Sequence, residues 1–159
     1  MAAPNIIDAE LDAVTDAVLL SSRALVAVAS RSIAAADDSV TLPQFRALVV
    51  LHNADGGLNI GELAHELRIQ PSTATRLCDR LVRRRLARRR VNPGNRREVT
   101  MMLTATGRDL VEDVTRRRRR EIGLIMAKVP AAQRTAIIDA LTVFREAAGE
   151  DDVVPSVPW

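Results

Sequence analysis

Residues 60–103 read IGELAHELRIQPSTATRLCDRLVRRRLARRRVNPGNRREVTMML, and this stretch decides the fold. Asn59-Ile60-Gly61-Glu62 has the form of a capping box, in which the first side chain takes the amide three residues on and the glutamate reaches back. Ile60, Leu63, Ala64 and Leu67 then recur at helical spacing and predict a short helix. Arg68-Ile69-Gln70 is the turn. Pro71 suits the first position of a second helix, where its missing N–H would find no partner anyway. That helix turns Ala74, Leu77, Cys78, Leu81 and Val82 inward and leaves Ser72, Thr73, Thr75, Arg76, Asp79, Arg80 and Arg83 outside. Beyond Arg85 the period shortens to two. Residues 86–91 and 98–103 are predicted strands around the turn Asn92-Pro93-Gly94-Asn95, with Val99, Met101 and Leu103 on one face. Helix, turn, helix and a two-stranded wing follow in order, and the second helix of such a pair is the one that enters the DNA major groove.

Outward from this core, helical periodicity dominates. Ile7, Leu11, Val14, Val18, Ser21, Leu25 and Val28 alternate steps of four and three, an amphipathic helix with a coiled-coil-like seam that Asp37 and Asp38 end. Thr41-Leu42-Pro43-Gln44 is another capping box, followed by Phe45, Leu48, Val49 and His52 on one face and a terminating Asn53-Ala54-Asp55-Gly56-Gly57. Downstream, Thr104-Ala105-Thr106-Gly107 starts a long helix to Lys128 with Val111, Val114, Ile122, Ile125 and Val129 on one stripe. Pro130 opens a last helix carrying Ile137, Leu141, Phe144 and Ala148. The expected fold is mainly α with a small β-hairpin wing. It forms one intertwined domain: an N-terminal helix in 1–40, the winged lobe in 41–104, two helices in 105–148 and a tail in 149–159.

The net charge of +3 over 159 residues conceals a strong asymmetry. Residues 76–97 hold ten arginines against one acid, Asp79, while both flanking regions are acidic. A basic block between acidic flanks is the sequence footprint of nucleic-acid binding. Codon bias could explain why nearly every basic residue is Arg, but not why they cluster. No long charge-free apolar window or secretory leader is found, so no membrane partner is expected and the chain is expected in the cytoplasm. One cysteine, Cys78, excludes an internal disulfide. His52 and His65 are isolated, and no nucleophile elbow, P-loop, dinucleotide fingerprint or zinc motif occurs. Neither an enzyme nor a cofactor nor a metal is expected.

The ordered set Thr41-Leu42-Pro43-Gln44-Phe45, Ile60-Gly61-Glu62-Leu63-Ala64, Pro71-Ser72-Thr73-Ala74-Thr75-Arg76-Leu77-Cys78-Asp79-Arg80-Leu81, Asn92 to Arg97 and Leu103 to Gly107 resembles the multiple antibiotic resistance regulator (MarR) family. The resemblance spans about residues 8 to 148. It implies a homodimer joined through the N- and C-terminal helices, with Ile7, Leu11, Val14, Val18, Ile137, Leu141 and Phe144 at the interface. The chain departs from the family in two places. Asn92 and Asn95 stand where family wings carry acids that hold the wing arginines, and Arg85 stands where glycine is usual, which is awkward if that site needs a positive φ.

On the recognition helix, Ser72, Thr73, Thr75 and Arg76 are the candidate contacts to base edges and phosphates, and Arg80 and Arg83 further along are candidates for phosphate. Arg88 and Arg90 alternate with Arg89 along the first wing strand and point to phosphate. By resemblance one wing arginine enters the minor groove, Arg96 being favoured, with Arg97 in support. Arg116 to Arg120 span too wide an arc to share one face, and Arg118 falls on the apolar stripe. Three roles stay open for this run: snorkelling stems with salt bridges to Asp8, Glu10, Asp12 or Asp16, an anionic effector site using Arg116, Arg118 and Arg120, or a DNA-facing surface. Cys78 is expected in the core.

The function expected is therefore a DNA-binding transcriptional regulator, a ligand-responsive repressor that binds a palindromic operator in double-stranded DNA as a homodimer. Its small-molecule effector would be anionic. The alternatives are an effector-independent or architectural DNA-binding protein, and a helical module binding acidic protein or RNA.

Overall fold

The structure, a computed structural model, describes residues 6–54, 56–92 and 95–149, and gives only the backbone course of 6–8, 92 and 95–98. Among the described residues six helices and three strands follow in order: α1 (Ile6–Ala36), α2 (Leu42–Asn53), β1 (Leu58–Asn59), α3 (Ile60–Leu67), α4 (Pro71–Arg83), β2 (Ala87–Asn92), β3 (Asn95–Leu103), α5 (Ala105–Ala127) and α6 (Ala131–Ala147). Local chemistry sets the helix starts. The Asn59 side chain accepts from the Glu62 amide at 2.9 Å, and Glu62 accepts from the Asn59 amide at 2.8 Å, so both halves of that box are closed. At α2 the Gln44 side chain accepts from the Thr41 amide at 2.8 Å. The Thr104 hydroxyl caps α5 by accepting from Gly107 N at 3.0 Å.

The wing is a three-stranded antiparallel sheet in the order β1-β3-β2 rather than a two-stranded hairpin. Leu58 pairs with Met101 and Asn59 with Thr100. Two residues are too short for any alternation to be legible, so the sequence hides β1. What makes room for it is Gly57, at φ +86°, where an added Cβ would stand 2.3 Å from the Met101 carbonyl oxygen. β3 also starts three residues earlier than the alternation suggested, at Asn95. The hairpin tip, residues 93–94, lies outside the described residues.

The core gathers the end of α1, then α2, α3, α4, the sheet and the first half of α5. Ile33, Phe45, Leu48, Leu63, Leu81, Met101, Val111 and Val114 are its largest fully buried members. At roughly 1.5–3 kcal/mol per buried side chain of this size, this cluster is the main favourable term in folding. It fixes α4 against the lobe from behind.

Outside the core the picture reverses. The seam predicted along α1 is buried only near its C-terminal end, at Val28, while Leu11 and Val14 are 63% and 55% exposed. α6 buries no residue at all, and Leu141 and Phe144 stand open. By length and composition α1 could cross a membrane over Ala9–Ala36, with a mean hydropathy of 1.5. This qualifies the expectation that the chain holds no such segment. The helix carries Arg23 and Arg31, and its last turns are built into the protein core at Val28, Ile33 and Ser32.

Both helices of the helix-turn-helix end in the same six-to-one, five-to-two closure. At α4 the Leu86 amide donates to Leu81 O (3.0 Å) and the Arg85 amide to Val82 O (2.9 Å); at α3 Ile69 donates to Ala64 O (3.0 Å) and Arg68 to His65 O (2.9 Å). The residues that must turn left-handed are Arg85 at φ 58° and Arg68 at φ 55°. Glycine is the ordinary occupant, because a side chain crowds its own backbone there. Replacing Arg85 by glycine is expected to stabilise the protein by about 1 kcal/mol and raise the unfolding midpoint by roughly 2–4 °C. Thermal unfolding followed by circular dichroism at one fixed chain concentration checks this. An unchanged or lower midpoint would mean that the Arg85 side chain makes contacts worth as much as the strain.

Candidate nucleic-acid interface

α4 has two clearly separated faces. Ala74, Cys78 and Leu81 are fully buried, with Leu77 and Val82 half-buried beside them. Ser72, Thr73, Arg76, Arg80 and Arg83 stand exposed on the other side. Thr75 sits on the flank, and its hydroxyl donates to Pro71 O at 2.9 Å. At the start of the helix Gln70 O accepts from Thr73 N (2.9 Å) and Ala74 N (3.0 Å), and Pro71 has no N–H. Ser72 and Thr73, both exposed, lie in the first turn at the positive end of the helix dipole. That arrangement suits a negatively charged backbone.

The wing strand lies next to this face. Arg88 and Arg90 are exposed, as their alternation predicted, and Arg89 is registered opposite Met101 on the core-facing side of the sheet. From there Arg89 forms an ion pair with Asp79 of α4. The sequence suggested that an ionic clamp was missing because Asn92 and Asn95 replace the usual acids. A clamp exists elsewhere, and it uses the one acid of the basic block to tie helix to wing. Arg96 and Arg97 belong to β3, but their side chains lie outside the described residues, as does that of Ile7 in α1.

The sequence also missed part of the surface. An open concavity of about 690 Å³ occupies the elbow between α3 and α4, lined by His65, Arg68, Gln70, Thr73, Ala64 and Ile69. Apart from Thr73, nothing in the types or spacing of these residues marks them; only the turn brings them together at the start of the recognition helix.

For the arginine run on α5 the structure corrects the expected partners. Arg117 pairs with Asp113 at 2.8 Å, and Arg116 with Asp113 (3.4 Å) and Glu112 (3.9 Å), all on the same helix one turn earlier. The Arg117 hydrogen bond holds the Asp113 carboxyl below the usual range. Asp8 has no described side chain, and Glu10, Asp12 and Asp16 lie on the exposed half of α1. Because Arg31 of α1 already pairs with Glu121, Asp12 lies about 28 Å further along the helix, away from the run. Arg118 is half-buried on the apolar stripe as predicted. Its Nε has no partner among the described residues, and burial lowers its pKa. A crevice of about 270 Å³ between α1 and α5 is lined by Arg31, Ser32, Arg117, Arg120, Glu121 and Leu124, with Ala35. Ser32 is buried there, and its hydroxyl has no partner among the described residues. Among the described residues no three His, Cys, Asp or Glu side chains come together.

A model of the MarR family matches residues 38–98. YsmB of Bacillus subtilis, described as an uncharacterized HTH-type transcriptional regulator, is 34% identical over 80 residues, which are 50% of this chain and 54% of that protein. The chain thus matches about half the length of such curated relatives. Among solved structures, RV1404 from Mycobacterium tuberculosis is 46% identical and superimposes with a TM-score of 0.81 over 90% of this chain and 97% of that one. A mutant of MepR from S. aureus, bound to an oligodeoxyribonucleotide, shares the fold at a TM-score of 0.63 and 21% identity, over 84% of this chain and 96% of that one. MepR has also been solved bound to ethidium bromide, with a TM-score of 0.61, 20% identity and coverage of 84% and 95%.

Cys78 is fully buried on the rear of α4, and burial pushes its thiol pKa up. The thiolate that reacts with oxidants and disulfides is therefore scarce at neutral pH. A thiol reagent such as Ellman's is expected to label the native protein about a thousandfold more slowly than the unfolded chain, since access requires opening the core. Rapid labelling of the folded protein would show that the recognition helix lifts from its seat.

Proposed function

Because this chain belongs to the MarR family of helix-turn-helix transcriptional regulators, we propose that it is a cytoplasmic, homodimeric repressor that binds a palindromic operator and is released by a small anionic effector. The observation that carries this reading is the two-faced recognition helix. Its rear is locked into the core, while Ser72, Thr73, Arg76, Arg80 and Arg83 face outward beside Arg88 and Arg90 of the wing. In the proposed complex Ser72, Thr73, Thr75 and Arg76 meet base edges and nearby phosphates in the major groove. Arg80, Arg83, Arg88 and Arg90 neutralise backbone phosphates, Arg96 enters the minor groove and Arg97 supports it.

The dimer is supported by apolar surface that the single chain leaves open. Leu11 and Val14 on α1 and Leu141 and Phe144 on α6 are all more than half exposed. Val18 and Ile137, half-buried, lie on the same faces. Two copies joined there would present two recognition helices to half-sites one helical turn apart, roughly 34 Å. The effector reading is supported by the crevice between α1 and α5, where Arg120 and Arg117 line one wall and the buried Ser32 hydroxyl the other. A ligand lodged there, with Arg116 and Arg118 nearby, would wedge the helices and change that separation.

An electrophoretic shift with duplex DNA, single strands and RNA is expected to favour the duplex. With four to five phosphates neutralised per subunit, log affinity against log salt should fall with a slope of roughly −7 to −9. A slope shallower than about −3 would remove the arginine block from the DNA surface. Arg76→Ala should cost about 1–3 kcal/mol and relax preference at one position per half-site. Arg96→Ala should reduce the salt slope by about one per subunit and lose most on A·T-rich flanks. Wild-type binding by Arg96→Ala on both A·T-rich and G·C-rich flanks would refute the wing assignment.

Deleting residues 1–30 should give aggregates or unfolded chain, because the partner's apolar face loses its cover. A folded, DNA-binding monomer lacking them would refute the dimer.

A further inference from the structure

At the end of the recognition helix, Arg84 turns away from the DNA face. Its guanidinium donates to both carboxylate oxygens of Asp37, at 3.0 and 3.1 Å, and to the carbonyl and hydroxyl oxygens of Ser39. Asp37 and Ser39 belong to the loop that ends α1, 45 or more residues away in sequence. The pair is about 70% shielded from solvent on each side, and the Ser39 hydroxyl and amide both donate to Asp37. These bonds hold the Asp37 carboxyl below the usual range, so it stays charged at any working pH. Arginine's planar fork meets a carboxylate and a carbonyl at once, which the point charge of a lysine cannot do.

A second grip holds the same turn from the other side. The Thr104 hydroxyl donates to Arg85 O at 2.7 Å and to Leu86 O at 3.1 Å, and the Thr104 amide donates to Leu86 O at 3.1 Å. Gly107, in the first turn of α5, lies so close that an added Cβ would be 2.0 Å from Leu86 O. Residues 84–86 are thus clasped by the end of α1 and by the start of α5, while they join recognition helix to wing.

We infer that Arg84 is a positioning residue that sets the angle between α1 and the DNA-reading lobe, and so the half-site spacing the dimer accepts. The inference rests on the proposed dimeric DNA binding. α4 has 13 residues and is about 20 Å long, so a swing of about 10° at its Arg84 end displaces its reading end by about 3.5 Å. That is close to the rise of one base pair, about 3.4 Å. A small loss of angular control therefore becomes a whole-step error in register, whereas contacts within one half-site are untouched.

The test uses Asp37→Asn and, as an independent variant, Ser39→Ala. Both loosen the tie from the loop side without altering the basic surface. Each full-length variant, with wild type, is titrated against three duplexes built on an operator selected from random DNA: the selected spacing, one base pair more and one fewer. A single half-site duplex is the fourth probe. Wild type is expected to prefer the selected spacing by about tenfold or more. The variants should bind the half-site like wild type, but discriminate between spacings by less than about threefold. A variant that keeps wild-type spacing preference, or loses affinity equally on half-site and full operators, overturns the inference and reduces Arg84 to a stabilising contact. If Asp37→Asn does not fold, Ser39→Ala alone decides by the same criteria. Wild type that binds all three spacings alike overturns the dimeric reading itself, and the inference with it.

Discussion

The closure of the recognition helix at residues 84–86 is the constraint on which the molecule turns. Four backbone hydrogen-bonding groups, the amides and carbonyls of Arg85 and Leu86, must be satisfied in a space where α4, β2 and α5 converge. The Leu86 amide reaches back to Leu81, its carbonyl is taken by Thr104, and Arg85 adopts a left-handed conformation to make both possible. The side chain that would obstruct this packing is absent at Gly107. Because the turn is fixed from several directions, the helix that precedes it and the strand that follows it share one orientation. The Asp79–Arg89 pair repeats that coupling further out. Recognition helix and wing are in effect one body, and exposed ion pairs of this kind contribute alignment more than stability.

The ten arginines of the basic block do not all do the same work. Arg76, Arg80, Arg83, Arg88 and Arg90 present charge to the outside. Arg84 is turned inward against Asp37, Arg89 is engaged by Asp79 at the surface, and Arg85 occupies a position where its side chain is a steric cost. A count of charge in this stretch thus overstates what is free to meet a phosphate. The same holds on α5, where Arg116 and Arg117 are engaged by Glu112 and Asp113 and only part of the run faces the crevice with Arg31 and Glu121.

What was legible in the sequence is what nearest neighbours decide. The Asn59–Glu62 box, Pro71 at the start of α4, the inward set Ala74, Cys78 and Leu81, and the alternation through Met101 and Leu103 depend on spacing alone, and the structure has them where spacing put them. Even the warning at Arg85 was local, since a glycine position requires a positive φ and the residue takes it. What stayed hidden depends on distant segments meeting. β1 exists because Gly57 lets two residues approach β3. Arg84 looks like one more arginine in a run until Asp37 and Ser39 arrive beside it. The α5 arginines were assigned acids on α1 from charge alone, but helix length forbids that contact within one chain, because α1 is anchored by its other end.

α1 therefore has two halves under different physical regimes. From Val28 onward it is a core helix, held by Ile33 within the cluster and by Arg31 against Glu121. Before that, it is an apolar rod with almost nothing of its own chain against it. A helix is stiff over this length, so whatever seats the free half also sets the angle of the anchored half. The anchored half ends at Asp37 and Ser39, the two residues that hold Arg84. Free apolar surface at one end and the end of the recognition helix at the other are thereby joined by one rigid element. The seating of the rod and the orientation of α4 are linked both through the core that Ile33 shares with Leu81 and through the Asp37–Arg84 pair with its hydrogen bonds.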